Sequence, residues 1–376
     1  MQRLVIPALA CAALACGGLF APGDDGEAVI VSSDGPHLRL VSVIDGRTLA
    51  LPTPAPPGAY GFARSHDSAF LYYAGSTTYP QRQILLLDAR SAKVVWNELL
   101  AELEQRSRVP SLELLTVTAI ARSPDRSRLV VAPGRKDGVE GLVVLDTATR
   151  EPLDFVAPMM VPTDGMAMVA PSTTFPAGAL AVAGSREQGV GPKEGWLFFL
   201  DGNDLTMRDS IQLTQNVASL WGGLGQVVAA PDGDEVYVLG PRVLFRYDVA
   251  GRSATATRAV RGRVSLGPDG SVYVGDSGEW DTQPSSGMLF QYSADLAGVD
   301  SIDLSEAAVD GFGPTIQGVA PSRDARWLYV LIGNAEVGVG GFPGQPKRVL
   351  VVDAVEKRIV RSYPLGDWGG GPIFLR

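Results

Sequence analysis

The chain is predicted to be all-β, a seven-bladed β-propeller of four-stranded antiparallel blades, and three observations predict it. An apolar run ending in Asp recurs at Val43-Ile44-Asp45, Leu85-Leu86-Leu87-Asp88, Val143-Val144-Leu145-Asp146, Phe198-Phe199-Leu200-Asp201, Phe245-Arg246-Tyr247-Asp248 and Val351-Val352-Asp353. A degenerate copy, Phe290-Gln291-Tyr292-Ser293, makes seven. The spacing, about 45 to 60 residues, suits a unit of four short strands rather than a helical solenoid repeat. The second observation is a strand that runs into a Ser/Pro-Asp turn. It is seen at Phe62 to Asp67, Ile120 to Asp125, Val228 to Asp232, Ser265 to Asp269 and Val319 to Asp324, with a longer form after Val169-Ala170-Pro171-Ser172. Third, Gly 44 and Pro 27 in 376 residues exceed the average of roughly 12% without any collagen-like period, so the excess belongs to turns.

The clearest unit is the last. Thr315 to Ala320, Trp327 to Ile332, Arg348 to Val352 and Arg358 to Tyr363 are four β-rich runs with no helical period between them, hence one antiparallel meander. The first unit begins with Ala28 to Val31 and continues through Leu38 to Val43 and Thr48 to Leu51, but lacks the strand that precedes the turn elsewhere. The chain ends in Ile373-Phe374-Leu375, a strand with no unit of its own. The expectation is that this C-terminal strand completes the first blade, removing two exposed sheet edges. One segment breaks the β pattern: Leu99, Leu100 and Leu103 within Trp96 to Arg108 have helical spacing, predicting a short amphipathic helix between blades.

The organisation expected is residues 1–16 as signal peptide, 17–26 as tether and 27–376 as propeller. Arg3 precedes an apolar run from Leu4 to Ala15, at about twelve residues too short to span a bilayer as a helix. The only two cysteines, Cys11 and Cys16, lie in this segment, so the mature propeller is expected to hold no disulfide. Leu14-Ala15-Cys16 followed by Gly17 resembles a bacterial lipoprotein signal, with Ala13 where that family prefers Leu. The resemblance implies lipidation at Cys16 and an extracytoplasmic, membrane-anchored protein; ordinary secretion after Ala13-Leu14-Ala15 is the alternative. A formal charge of −9 and the lack of a basic stripe argue against nucleic acid as partner. Contact with the membrane would then be through the N-terminal lipid alone, and a monomer is expected.

The Ser-Pro-Asp turns followed by apolar-apolar-Asp resemble the bacterial YVTN-type seven-bladed propellers, best over Gln317 to Tyr363 and loosely from Ala28 to the end. Members are often secreted or surface proteins, and some relatives have a lactonase-like or quinoprotein fold. The motifs specify a blade and not a reaction.

The turns on one face are tight, whereas the connections Gly75 to Arg82, Gly134 to Gly141, Gly184 to Gly195, Gly275 to Gly287 and Gly333 to Lys347 are long and lie on the other. Any site is expected there, because loops on a rigid scaffold carry function. Residues at the entrance of the inner strands would line the channel mouth: Tyr60, Thr118, Asp164, Trp221, Arg263, Gln317 and Trp368. Aromatics with a few polar groups suit a small polar ligand. His37 and His66 are distant turn residues, so neither a histidine metal centre nor a Ser-His-Asp triad is expected. Most Asp residues end strands or open turns, where Asp bonds its own backbone. Asp276, Glu279 and Asp281 share one long loop with Trp280 and form the candidate calcium site; no other cofactor is expected. Ser185 to Lys193 holds charges that can pair with one another. The leading reading is a non-enzymatic scaffold that binds a protein or small polar ligand through the long-loop face. The alternative is a metal-assisted, lactonase-like hydrolase at the channel mouth.

Overall fold

The computed structural model describes residues 29–34, 37–42, 48–54, 59–64, 70–75, 83–88, 93–99, 114–123, 127–135, 142–149, 151–156, 163–186, 193–217, 226–240, 242–278, 285–308, 314–322, 324–334, 346–364 and 373–375. The described residues form seven four-stranded antiparallel sheets. The second contains β4 (Ala59–Arg64), β5 (Phe70–Gly75), β6 (Gln83–Asp88) and β7 (Lys93–Leu99). The third contains β8 (Leu114–Arg122), β9 (Arg128–Arg135), β10 (Leu142–Asp146) and β11 (Pro152–Val156). β12 (Thr163–Val169), β13 (Ala179–Arg186), β14 (Lys193–Asp201) and β15 (Met207–Val217) make the fourth. β16 (Val227–Ala229), β17 (Glu235–Gly240), β18 (Val243–Asp248) and β19 (Ser253–Arg258) make the fifth. The sixth is β20 (Gly262–Leu266), β21 (Val272–Asp276), β22 (Met288–Tyr292) and β23 (Val299–Asp303). The seventh is β24 (Pro314–Pro321), β25 (Trp327–Asn334), β26 (Pro346–Asp353) and β27 (Arg358–Pro364).

The first sheet joins the two ends of the described chain. β1 (Val29–Asp34), β2 (His37–Ser42) and β3 (Thr48–Pro54) follow in order, and β28 (Ile373–Leu375) pairs with the free edge of β1. The register is antiparallel, Val29 opposite Leu375 and Val31 opposite Ile373. β28 also touches β24 of the seventh sheet, and β3 touches β7 of the second.

From the third sheet to the seventh, burial follows position. The middle strands are apolar on both sides: every residue of β21 is buried, as is β17 from Val236 to Gly240. Such strands read as continuous Val/Leu/Tyr runs because neither face meets water. The fourth strand is the wet edge, and β19 (SATATR) is exposed at five of its six residues. Apolar clusters lie between consecutive sheets. Val169, Phe199 and Leu197 of the fourth pack on Val236, Phe245 and Tyr247 of the fifth, with the rings of Phe199 and Tyr247 4.9 Å apart. Tyr273 and Leu289 of the sixth pack on Ile316, Val330 and Leu350 of the seventh.

Tyrosines latch neighbouring sheets. The Tyr237 hydroxyl donates to the Ala294 carbonyl at 2.8 Å, Tyr292 to the Arg258 carbonyl at 3.1 Å and Tyr247 to Asp209 Oδ2 at 3.2 Å. Asp residues close the turns as expected. Asp146 Oδ1 accepts from the Ala148 and Thr149 amides at 2.8 and 2.6 Å, and Asp353 Oδ1 from Val355 and Glu356 at 3.0 Å each. These bonds favour the ionised carboxylates and hold both pKa values below the usual range.

The helix expected over Trp96 to Arg108 is corrected at its start. Trp96 lies opposite Leu86 and Leu99 opposite Gln83 within β7, and the remainder of the segment lies outside the described residues. The ladder begun at Lys93 carries through Leu99, overriding the helical spacing at that residue. The loop Ser185 to Lys193 is likewise shorter than expected, since Arg186 pairs with Glu194 across β13 and β14. The only helical turn among the described residues is a 3-10 turn, Ser305–Ala307, and no helix among them is long and apolar enough to cross a membrane.

Deleting residues 373–376 leaves β1 with an unpaired edge. The expected result is a loss of about 2–4 kcal/mol in denaturant unfolding, and an unchanged midpoint would show that the β1–β28 ladder contributes nothing. Burial, reinforced by neighbouring carboxylates, pushes Tyr237, Tyr247 and Tyr273 up to about 12. An unfolded tyrosine titrates near 10, so this stability is whole below pH 10 and disappears as pH rises to about 12. The unfolding free energy should therefore fall across that window by about 1–2 kcal/mol per tyrosine, discounted for partial exposure, and denaturant midpoints measured against pH check it. Tyr237→Phe and Tyr247→Phe should each flatten the fall.

Candidate functional site

The first strands of successive sheets neighbour one another: β4 lies against β8, β8 against β12, β12 against β16, β16 against β20, β20 against β24 and β24 against β28. They are the strands that turn away from the wet outer edges. Five of the expected channel-mouth residues, Tyr60, Thr118, Asp164, Arg263 and Gln317, stand on these strands, one per sheet. Trp221 and Trp368 lie outside the described residues.

Four of the five share a backbone feature that the sequence reading did not anticipate. Tyr60 is skipped in the register between Ala59 and Gly61, Asp164 between Thr163 and Gly165, Thr118 between Val117 and Ala119, and Gln317 between Ile316 and Gly318. Each is a bulge residue, released from the ladder. Bulges re-aim a side chain and kink the strand, and they concentrate beside sites. The sequence signal is a polar or aromatic residue followed by Gly or Ala and then an apolar residue, as in Tyr60-Gly61-Phe62 and Gln317-Gly318-Val319.

Arg263 differs. β20 keeps a regular register, with Arg263 opposite Gly275 and Gly262 opposite Asp276. The strands approach so closely that a Cβ on Gly262 would fall 1.6 Å from the Gly275 carbonyl oxygen, and one on Gly275 would meet Ile316 Cγ2 at 2.1 Å. Only glycine fits at either position. Arg263 is exposed to solvent, yet enough protein surrounds it that desolvation lowers its pKa from the ordinary value.

The long connection after β21 is held at its root by Asp276. This residue, 8% exposed, accepts at Oδ1 from the Gly278 amide (2.8 Å). At Oδ2 it accepts from the Ser286 amide (2.7 Å) and hydroxyl (2.6 Å). Its carbonyl takes the Ser285 hydroxyl at 2.9 Å, and the Ser277 amide donates to the Arg261 carbonyl at 2.9 Å. With three donors on its carboxylate, Asp276 is a loop clamp. Glu279 and Asp281, the other two residues of the expected calcium site, lie outside the described residues. No group of three His, Cys, Asp or Glu that could hold a metal exists among the described residues.

The connections on the opposite face are short and saturated. A cleft of about 490 Å³ opens there between the sixth and seventh sheets, lined by Asp269, Tyr273, Asp324, Arg326, Asp353 and Glu356. Its acids are engaged: Asp269 accepts from Ser271, Asp324 from the Ser322 hydroxyl and Arg326 amide, and Asp353 from its turn while forming an ion pair with Arg326 at 3.7 Å.

Asp276→Ala removes the acceptor for three donors. It should cost about 2–3 kcal/mol of stability and open residues 277–286 to protease; cleavage rates equal to those of the parent would show that the clamp is idle.

No family model matches the chain, and no curated protein does. Among solved structures, 963 chains match, so the likeness identifies a widely used architecture rather than one activity. One of them is the dihydro-heme d1 dehydrogenase NirN in complex with DHE, at a TM-score of 0.54 and 15% identity, covering 92% of this chain and 74% of that one. At that identity the likeness shows the fold alone, a β-propeller.

Proposed function

We propose that the seven sheets are the blades of one closed propeller, sealed by β28 against β1, and that it is a binding scaffold acting through its long-loop face. The observation that carries the reading is the segregation of connections. Every long connection named above joins the second and third strands of its sheet, at the end where the first strands begin. The other end is trimmed to turns pinned by Asp and Ser hydrogen bonds. A rigid body with adaptable loops on one side is built for recognition. Export and lipid attachment at Cys16, as a YVTN-type lipoprotein, belong to the same reading and rest on the sequence. The metal-assisted hydrolase reading gains nothing from the geometry, since Asp276 is committed to its loop.

A photo-crosslinking residue placed at Glu279, in the chain between β21 and β22, and another at Val355 on the turn face (78% exposed), separates the alternatives in the native host. Adducts at 279 that unlabelled protein competes away, with none at 355, are expected. Equal adducts at both positions, or none at 279, would remove the loop face as the recognition surface.

A further inference from the structure

The bulges of the first strands fall at one step of the repeat. Tyr60, Thr118 and Gln317 each stand five residues before the serine of the following turn, Ser65, Ser123 and Ser322. Asp164 and Gln317 each stand two residues before the one that joins the cluster with the preceding sheet. That residue is Met166, clustered with Ala121 and Val130, or Val319, clustered with Tyr273 and Leu289. Because β4 neighbours β8 and β8 neighbours β12, Tyr60, Thr118 and Asp164 occupy matching positions on three adjoining strands. Gln317 takes the same step on β24. Convergence of the strands does not call for these residues. β20 runs beside β24 with an unbroken ladder, its room made by Gly262 and Gly275. In the bulged strands the small residue comes just after the skipped one, as Gly61, Ala119, Gly165 and Gly318. The skipped position itself holds Tyr, Thr, Asp and Gln, four residue types that hydrogen-bond. A second bulge in β8, at Leu115, lies three residues nearer the strand's start and has no counterpart in β4, β12 or β24. Packing explains the small residue and leaves the polar one unexplained.

We propose that Tyr60, Thr118, Asp164 and Gln317 form a receptor for a neutral polyhydroxylated ligand, a sugar ring, at the end of the first strands where the long connections lie. A sugar hydroxyl both donates and accepts, so a vicinal pair needs partners of both kinds. Asp164 supplies an acceptor-only carboxylate, Gln317 a carboxamide that does both, and Thr118 a hydroxyl. Bonds to the carboxylate are charge-assisted and the strongest of the set. Tyr60 supplies an aromatic ring, suited to the apolar C–H face of a pyranose, with a hydroxyl at its tip. Charged ligands match the set poorly: Asp164 repels an anion, and a lone carboxylate is less than divalent-cation sites gather. The four backbones sit in paired strands, so the set is carried by rigid elements rather than by loops. The inference deepens the scaffold reading and rests on it for the face concerned.

The test is saturation-transfer NMR on the full-length protein, in a detergent without a sugar headgroup, with glucose, galactose and mannose. Glucuronate and glucosamine serve as the anionic and cationic counterparts. Transfer to at least one neutral sugar is expected, exceeding that to both charged ones, and titration of that sugar gives the affinity. Asp164→Asn and Tyr60→Ala should each weaken it by about tenfold, and Gln317→Ala by a few-fold, consistent with loss of a charge-assisted bond, a ring face and a neutral bond. Should Tyr60→Ala fail to fold, Asp164→Asn keeps the shape of the side chain and still reads the site. No transfer to any neutral sugar, stronger transfer to glucuronate or glucosamine, or equal affinity in the parent and Asp164→Asn proteins overturns the receptor. Persistence of competed crosslinks at position 279 in that event leaves the scaffold reading standing, and loss of crosslinks with sugar binding intact does the reverse.

Discussion

The constraint on which the structure depends is that the sheets from the third to the seventh carry apolar side chains on both faces. A four-stranded sheet with Tyr237, Val238 and Leu239 buried in one strand, and Leu244, Phe245 and Tyr247 in the next, cannot stand with one side in water. It needs a neighbour on each side, and that neighbour needs another. The clusters between the third and fourth, fourth and fifth, fifth and sixth, and sixth and seventh sheets are successive instances of one requirement. A linear stack would leave two uncovered faces. Pairing β28 with β1 ties the last stretch of chain to the first, and the contacts of β28 with β24 and of β3 with β7 set the first sheet between the seventh and second. The ring we propose satisfies the requirement without a cap.

The tyrosines show how polar groups are reconciled with this packing. Tyr237, Tyr247 and Tyr292 place rings in the layers between sheets and carry hydroxyls out to the neighbour's backbone or to Asp209. The apolar ring supplies area, and the hydroxyl tip fixes the rotation of one sheet on the next. Leu or Phe would fill the same layer without specifying that angle.

Much of this was legible in the sequence because the repeat is punctuated chemically. The aspartates at 146, 201, 248 and 353 end strands in side-chain-to-backbone turns, a local interaction that needs no tertiary context. The unpaired Ile373-Phe374-Leu375 could be matched to the missing strand by counting alone. What the sequence could not show required long-range information. Leu99 fits a helical spacing, but a ladder to β6 is a non-local contact that outweighs local period. Spacing cannot show that Ser286, ten residues on, donates to the Asp276 carboxylate. The same holds for Gln226, whose side-chain oxygen accepts from a residue of the next sheet.

The candidate site follows from the close approach of the first strands of successive sheets. Outer strands such as β19 can be hydrophilic because they face bulk water, and middle strands are sealed. First strands have neither freedom. They converge, so their side chains compete for little space, and most sheets answer by setting Gly or Ala after a bulge, as at Gly61, Ala119, Gly165 and Gly318. A bulge releases one side chain from the ladder while the small residue beside it makes room. The sixth sheet takes the opposite course, with a straight ladder, glycines at Gly262 and Gly275, and a long cation between them in register. Steric relief alone would favour another small residue at 263. An arginine there costs desolvation and gains no ion pair within the described chain, so packing does not account for it.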